Sequence, residues 1–178
     1  MKMVFKFGAA AIAMFAACSK PGPGTPPPPD DSTATFVAFP ATFHDFRSWT
    51  SFHSDGPPDD GSVPADVLGP RTQYINKLPP HGSHEFPVGT IIVEVRESGS
   101  MQTFAGVKRG GGYNADGATN WEWFELAESG GTVNIVWRGL NPPAGMYGGV
   151  LNSCNDCHRS CGGTNDFVCS PKLQLASF

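Results

Sequence analysis

Near its C-terminus the chain reads Cys154-Asn155-Asp156-Cys157-His158. Two thiols separated by two residues can both reach one edge of a porphyrin and add to its vinyl groups. A histidine directly after the second thiol is carried beneath the iron as an axial nitrogen donor. These residues point to one covalent haem c per chain, attached through Cys154 and Cys157, with His158 as the metal ligand. Few other sites require a histidine at that position.

The cysteine inventory leaves alternatives open. Cys154, Cys157, Cys161 and Cys169 also suit a four-thiolate zinc site, which would make the domain a zinc-stabilised structural lipoprotein module. A C-x-x-C pair also occurs in thiol redox proteins. If Cys154 and Cys157 take haem and Cys18 takes lipid, Cys161 and Cys169 are left over. In an oxidising compartment they can pair as a disulfide or persist as thiols.

The N-terminal region addresses such a compartment. Met1 to Lys6 carries Lys2 and Lys6, and Phe7 to Ala17 is an unbroken apolar or small-residue stretch ahead of Cys18. This is an export signal, and small residues before a cysteine resemble the lipobox of bacterial lipoproteins, which puts the lipid on Cys18. Ser19 to Thr35 reads SKPGPGTPPPPDDSTAT. Proline fixes φ and removes amide donors, so this segment stays extended and builds no core. At ~3.1 Å per extended residue it spaces the domain tens of ångströms from a lipid surface.

The expected organisation is a signal peptide over 1–17, a lipidated cysteine and tether over 18–35, and a haem domain over 36–178. Ser19 lacks the acidic character that retains lipoproteins at the inner membrane, so a periplasmic domain anchored to the outer membrane is expected. The net charge of −4 argues against nucleic acid as a partner. No apolar run reaches the roughly 18 residues needed to cross a bilayer, which leaves the lipid as the membrane contact.

Several elements must position the motif. Phe43, Phe46, Trp49 or Thr50, and His53 recur at helical spacing after Pro40, which predicts an amphipathic helix over Phe39 to His53. Strands are predicted over Arg71 to Lys77, Thr90 to Glu97, Met101 to Arg109, Trp121 to Glu128, and Thr132 to Gly139. Ser98-Gly99-Ser100 and Ser129-Gly130-Gly131 are short enough to close hairpins, and Gly110-Gly111-Gly112 reads as a loop. Tyr147 to His158 returns to helix. The expected class is α+β, a five-stranded antiparallel sheet packed with helices around one covalently attached haem.

Several blocks in order give the domain a family likeness. Phe46-Arg47-Ser48-Trp49, Arg71 to Asn76, Phe86 to Val93, Phe104 to Lys108 and Asn120 to Phe124 precede the C-x-x-C-H motif, and Asp166-Phe167-Val168 follows it. In this the chain resembles the cytochrome P-460 family, whose other branch includes the cytochromes c-prime-beta. The resemblance implies a five-stranded sheet over the distal haem face, a haem-binding helix near the C-terminus, and a homodimer. Hydroxylamine-oxidising members carry a lysine cross-linked to the porphyrin where this chain has Glu94, so the cross-link is expected to be absent. Their distal carboxylate falls at Phe104, which implies a face closer to the apolar, gas-binding branch. Arg71 matches the family's strand arginine, either a cation near the haem or a solvated strand charge.

These readings lead to an exported mono-haem cytochrome that transfers electrons to a redox partner protein or binds a small diatomic such as nitric oxide. The alternative is a haem oxidoreductase acting on hydroxylamine or nitric oxide, with Glu94 and Arg71 as catalytic candidates. Phe104 is the candidate distal wall, while Phe36, Trp123 and Phe124 fit an ordinary packed sheet face. His81, His84, Met101 and Met146 are weighed as sixth ligands against solvated loop or core positions.

Overall fold

The computed structural model describes residues 34–56, 69–97, 102–144, 146 and 154–178. The signal segment, Cys18, most of the tether, Met101 and residues 147–153 of the expected haem-binding helix lie outside the described residues.

A six-stranded antiparallel sheet runs in plain sequence order. Its strands are β1 (Thr50–Ser54), β2 (Arg71–Ile75), β3 (Ile91–Arg96), β4 (Thr103–Lys108), β5 (Trp121–Ser129) and β6 (Thr132–Gly139). The last five fall where runs of β-branched and aromatic residues predict them. The architecture is nevertheless sheet-dominated and six-stranded, which corrects the α+β reading of five strands packed with helices.

The correction has a local cause. Where one helix is predicted over Phe39 to His53, the chain makes two short 3-10 turns, Pro40–Phe43 and Phe46–Ser48, and then enters β1. Asp45 sits between the turns in the left-handed region, at φ 58°, and stops helical propagation. Phe43 and Phe46 are still core residues, at 0% and 1% exposure, because the turns lay them on the sheet. His53 is not part of that stripe; it lies exposed on β1, paired in register with Thr72.

Each face of the sheet has its own cover. On one, Ala38, Phe43 and Phe46 pack against Ile91, Val93, Val95, Ala105, Val107, Phe124 and Leu126. On the other, Val168, Leu173 and Leu175 from the C-terminal tail join Phe86 against Ile75, Ile92, Trp121, Trp123 and Trp137. An irregularity at Glu125/Leu126 shifts the register, so Trp137 turns to the tail side while Val136 is left 48% exposed. Gly106 makes room on that side: a Cβ there would lie 2.7 Å from the Trp123 ring. The one described α-helix, α1 (Cys154–Ser160), begins at the first motif cysteine and precedes the tail.

Candidate functional site

The motif residues share α1, with Cys154 half-buried and Cys157 exposed. The helix is docked by its own second residue. Asn155 Oδ1 accepts hydrogen bonds from Asn114 Nδ2 at 2.6 Å and from the Ala118 amide at 3.0 Å. The Asn155 amide donates to Asn141 Oδ1 at 3.3 Å. Gly117 lets the two loops close, since a Cβ there would lie 2.1 Å from Asn155 Nδ2.

His158 lies flat on the sheet, its ring stacked on Trp123 with centroids 3.8 Å apart and planes inclined by 22°. Its Nδ1 is 2.8 Å from the carbonyl oxygen of Phe167. A carbonyl only accepts, so Nδ1 carries the proton and Nε2 keeps its lone pair, the form in which a histidine binds a metal. Burial holds the imidazole below its usual range, while the Phe167 carbonyl and the Glu94 carboxylate favour the protonated ring. Trp123 Nε1 is buried, and no hydrogen-bond acceptor reaches it among the described residues.

The carbonyl that fixes His158 comes from an unusual turn. Asp166 and Phe167 are consecutive non-glycine residues at φ 49° and 62°. Such left-handed backbone at a bulky aromatic is disfavoured by about 1–3 kcal/mol and persists only where its surroundings impose it. Here Asp166 is tied to β4: Lys108 Nζ lies 2.6 and 2.7 Å from its two oxygens. The Phe86 amide donates to Asp166 Oδ2 at 2.9 Å, and Glu85 Oε2 is 3.2 Å from Lys108 Nζ. Burial pushes the Asp166 carboxyl up, against the opposing pull of Lys108 and the Phe86 amide.

Cys161 and Cys169 form a disulfide with Cα atoms 5.4 Å apart, closing the loop that contains this turn. Cys169 Sγ lies 3.7 Å from His158 Nδ1. With two of the four sulfurs in this bridge, a four-thiolate zinc site is not assembled, and no cluster of three or more potential metal ligands occurs among the described residues.

The other candidates fall on the same side of the sheet as His158. Cross-strand pairs align Phe52, Gln73, Glu94, Phe104, Glu125 and Trp137 in one row. Arg71 Nη1 donates to Glu94 Oε1 at 3.2 Å, and Gln73 Nε2 to Glu94 Oε2 at 3.1 Å. Ser170 of the tail in turn donates its hydroxyl to Gln73 Oε1. Phe104 is half-buried between Glu94 and Glu125, with the Arg96 guanidinium 5.1 Å from its ring centroid. Its setting is charged, unlike the apolar face implied by the resemblance. His81 and His84 are exposed, and Met146, Cys154 and Phe167 each pack against the tail-side core.

Sequence reasoning singled out Cys154, Cys157 and His158 but not the residues that orient them. Asn155 occupied a variable position of the motif. Phe167 acts through its carbonyl, which side-chain type does not encode. Lys108 and Asp166 gave one signal in hindsight: a lysine ending an apolar strand block needs a buried partner. No family model matches the chain, and neither a curated protein nor a solved structure matches it.

Proposed function

We propose that this chain is an exported, lipid-anchored mono-haem c-type cytochrome that transfers electrons or binds a small diatomic of the nitric oxide type. The observation that carries the reading is His158: Nδ1 is committed to the Phe167 carbonyl, and the ring directly follows both motif cysteines on α1. The donor set fits haem c: Cys154 and Cys157 would be the attachment thiols and His158 Nε2 would hold the iron. When bound, haem would supply an iron that exchanges one electron or binds a small diatomic.

The chain's own residues do the rest. The Phe167 carbonyl fixes the tautomer of His158 and raises the basicity of its Nε2. Trp123 supports the ring from the sheet, and Asn155 holds α1 against the Asn114–Ala118 loop. The disulfide and the oxidising compartment it needs agree with the export signal. The likeness to the cytochrome P-460 family and its homodimer belongs to this same reading.

A second reading rests on Glu94, which shares the His158 face and influences its protonation. Held by Arg71 and Gln73, its carboxylate would accept a proton from solvent and relay it if the chain were a haem oxidoreductase acting on a nitrogen oxide. Turnover unchanged in Glu94→Gln sinks that version.

The main reading is tested by producing the chain in cells that mature c-type cytochromes and staining a denaturing gel for haem. The native chain is expected to stain as one band, Cys154→Ser with Cys157→Ser to lose it, and the paired substitution of Cys161 and Cys169 to retain it. A native chain that does not stain overturns the reading.

A further inference from the structure

We propose that the buried Lys108–Asp166 ion pair is a positioning device for His158, holding the left-handed turn whose carbonyl orients the ring. This rests on the reading of His158 as an axial ligand.

Three observations meet here. The pair is out of water, with Lys108 1% and Asp166 5% exposed. It joins the end of β4 to the loop closed by the Cys161–Cys169 disulfide, 58 residues apart in sequence at the ion pair. The residue it anchors starts a two-residue left-handed segment, and the second residue of that segment supplies the 2.8 Å contact to His158 Nδ1.

A two-residue left-handed segment ending in phenylalanine relaxes unless something outside it fixes its position. Inside the loop closed by the disulfide, the amides of Asp166 and Phe167 donate to the Gly163 and Gly162 carbonyls and shape the turn, while the ion pair fixes where that turn sits against β4. Lys108, rooted in a central strand and aimed along Trp121, fixes the Asp166 carboxylate, and the Phe86 amide fixes it from a second direction. The carbonyl of Phe167 is then presented to Nδ1 at one distance and angle. For an axial histidine, that hydrogen bond sets the donor strength of Nε2.

The test uses the full chain with Asp166→Asn, which keeps an acceptor for Phe86 and tolerates left-handed backbone but loses the charge. The double variant Lys108→Met with Asp166→Asn removes both charges and guards against misfolding from an orphaned lysine. Glu97→Gln, whose carboxylate bonds Thr72 and His53 rather than the pair, is the control. In haem-loaded protein, both pair variants are expected to raise the reduction potential and lower the iron–histidine stretching frequency, as the Nδ1 hydrogen bond weakens. Glu97→Gln is expected to match the native chain.

Folded, haem-loaded pair variants with native potential and stretching frequency overturn the proposal while leaving the haem reading standing. A native chain that takes up no haem overturns the haem reading instead. In that case, nitrogen NMR of the His158 ring decides the positioning: the Nδ1–H form is expected to lose its preference in the pair variants, and an unchanged tautomer overturns it.

Discussion

Replacing Lys108 by methionine isolates what the buried ion pair does for stability. The lysine is 1% exposed and its Nζ lies 2.6 Å from Asp166 Oδ1, so the substitution strands a carboxylate that is itself 5% exposed. Removing one partner of a buried pair costs ~3–5 kcal/mol. The Phe86 amide still donates to Asp166 at 2.9 Å, and methionine refills the path beside Trp121, so a cost of about 3 kcal/mol at neutral pH is expected. Burial already pushes the Asp166 carboxyl up and Lys108 pulls it back, so without the lysine it rises further. The folded variant then holds a proton that the unfolded chain releases, and its stability falls as pH rises through that window. The deficit against the native chain is therefore largest at neutral pH and shrinks in mild acid. Urea unfolding followed by tryptophan fluorescence at both pH values measures it. A neutral-pH deficit below about 1 kcal/mol, or one that does not change with pH, refutes the reasoning.

Three further outcomes are expected. Gly117→Ala forces a Cβ to within 2.1 Å of Asn155 Nδ2, and a loss of about 1–3 kcal/mol in thermal unfolding should accompany the undocking of α1. Replacing Cys161 and Cys169 by serine opens a bridge spanning a sequence separation of 8, which lowers stability by about 2–3 kcal/mol in urea titration. Glu97 accepts a hydrogen bond from Thr72 Oγ1 at 2.6 Å, and this, with His53, holds its carboxyl below the ordinary value of 4.5. Its stabilisation is present above that value and is lost as pH falls through the folded-state pKa. Glu97→Gln should thus lower the urea midpoint slightly at neutral pH and leave it unchanged in acid.

The legible part of the fold was the part rich in β-branched and aromatic residues. In β3, Ile91, Val93 and Val95 face one core and Ile92 the other, a pattern that reads as a strand with both faces covered. β1 escaped because Thr50–Ser54 carries one large apolar residue, Phe52, while Phe43, Phe46, Trp49 and His53 imitate a helical stripe. What decides between the two readings is the left-handed Asp45, a conformation that residue spacing does not reveal. In the site, thiols and imidazole are legible because their chemistry lies in the side chain. The Phe167 carbonyl, the turn that aims it and the ion pair beneath it depend on contacts between segments far apart in sequence. The charged row around Phe104 likewise follows from strand register, which puts Glu94 and Glu125 beside it.

The most direct measurement is the absorption spectrum of the purified, denatured chain in alkaline pyridine, reduced with dithionite. The band of haem c is expected at one haem per polypeptide, remaining with the protein after acid-acetone extraction. A colourless chain, or a haem that the solvent removes, contradicts the assignment of Cys154, Cys157 and His158.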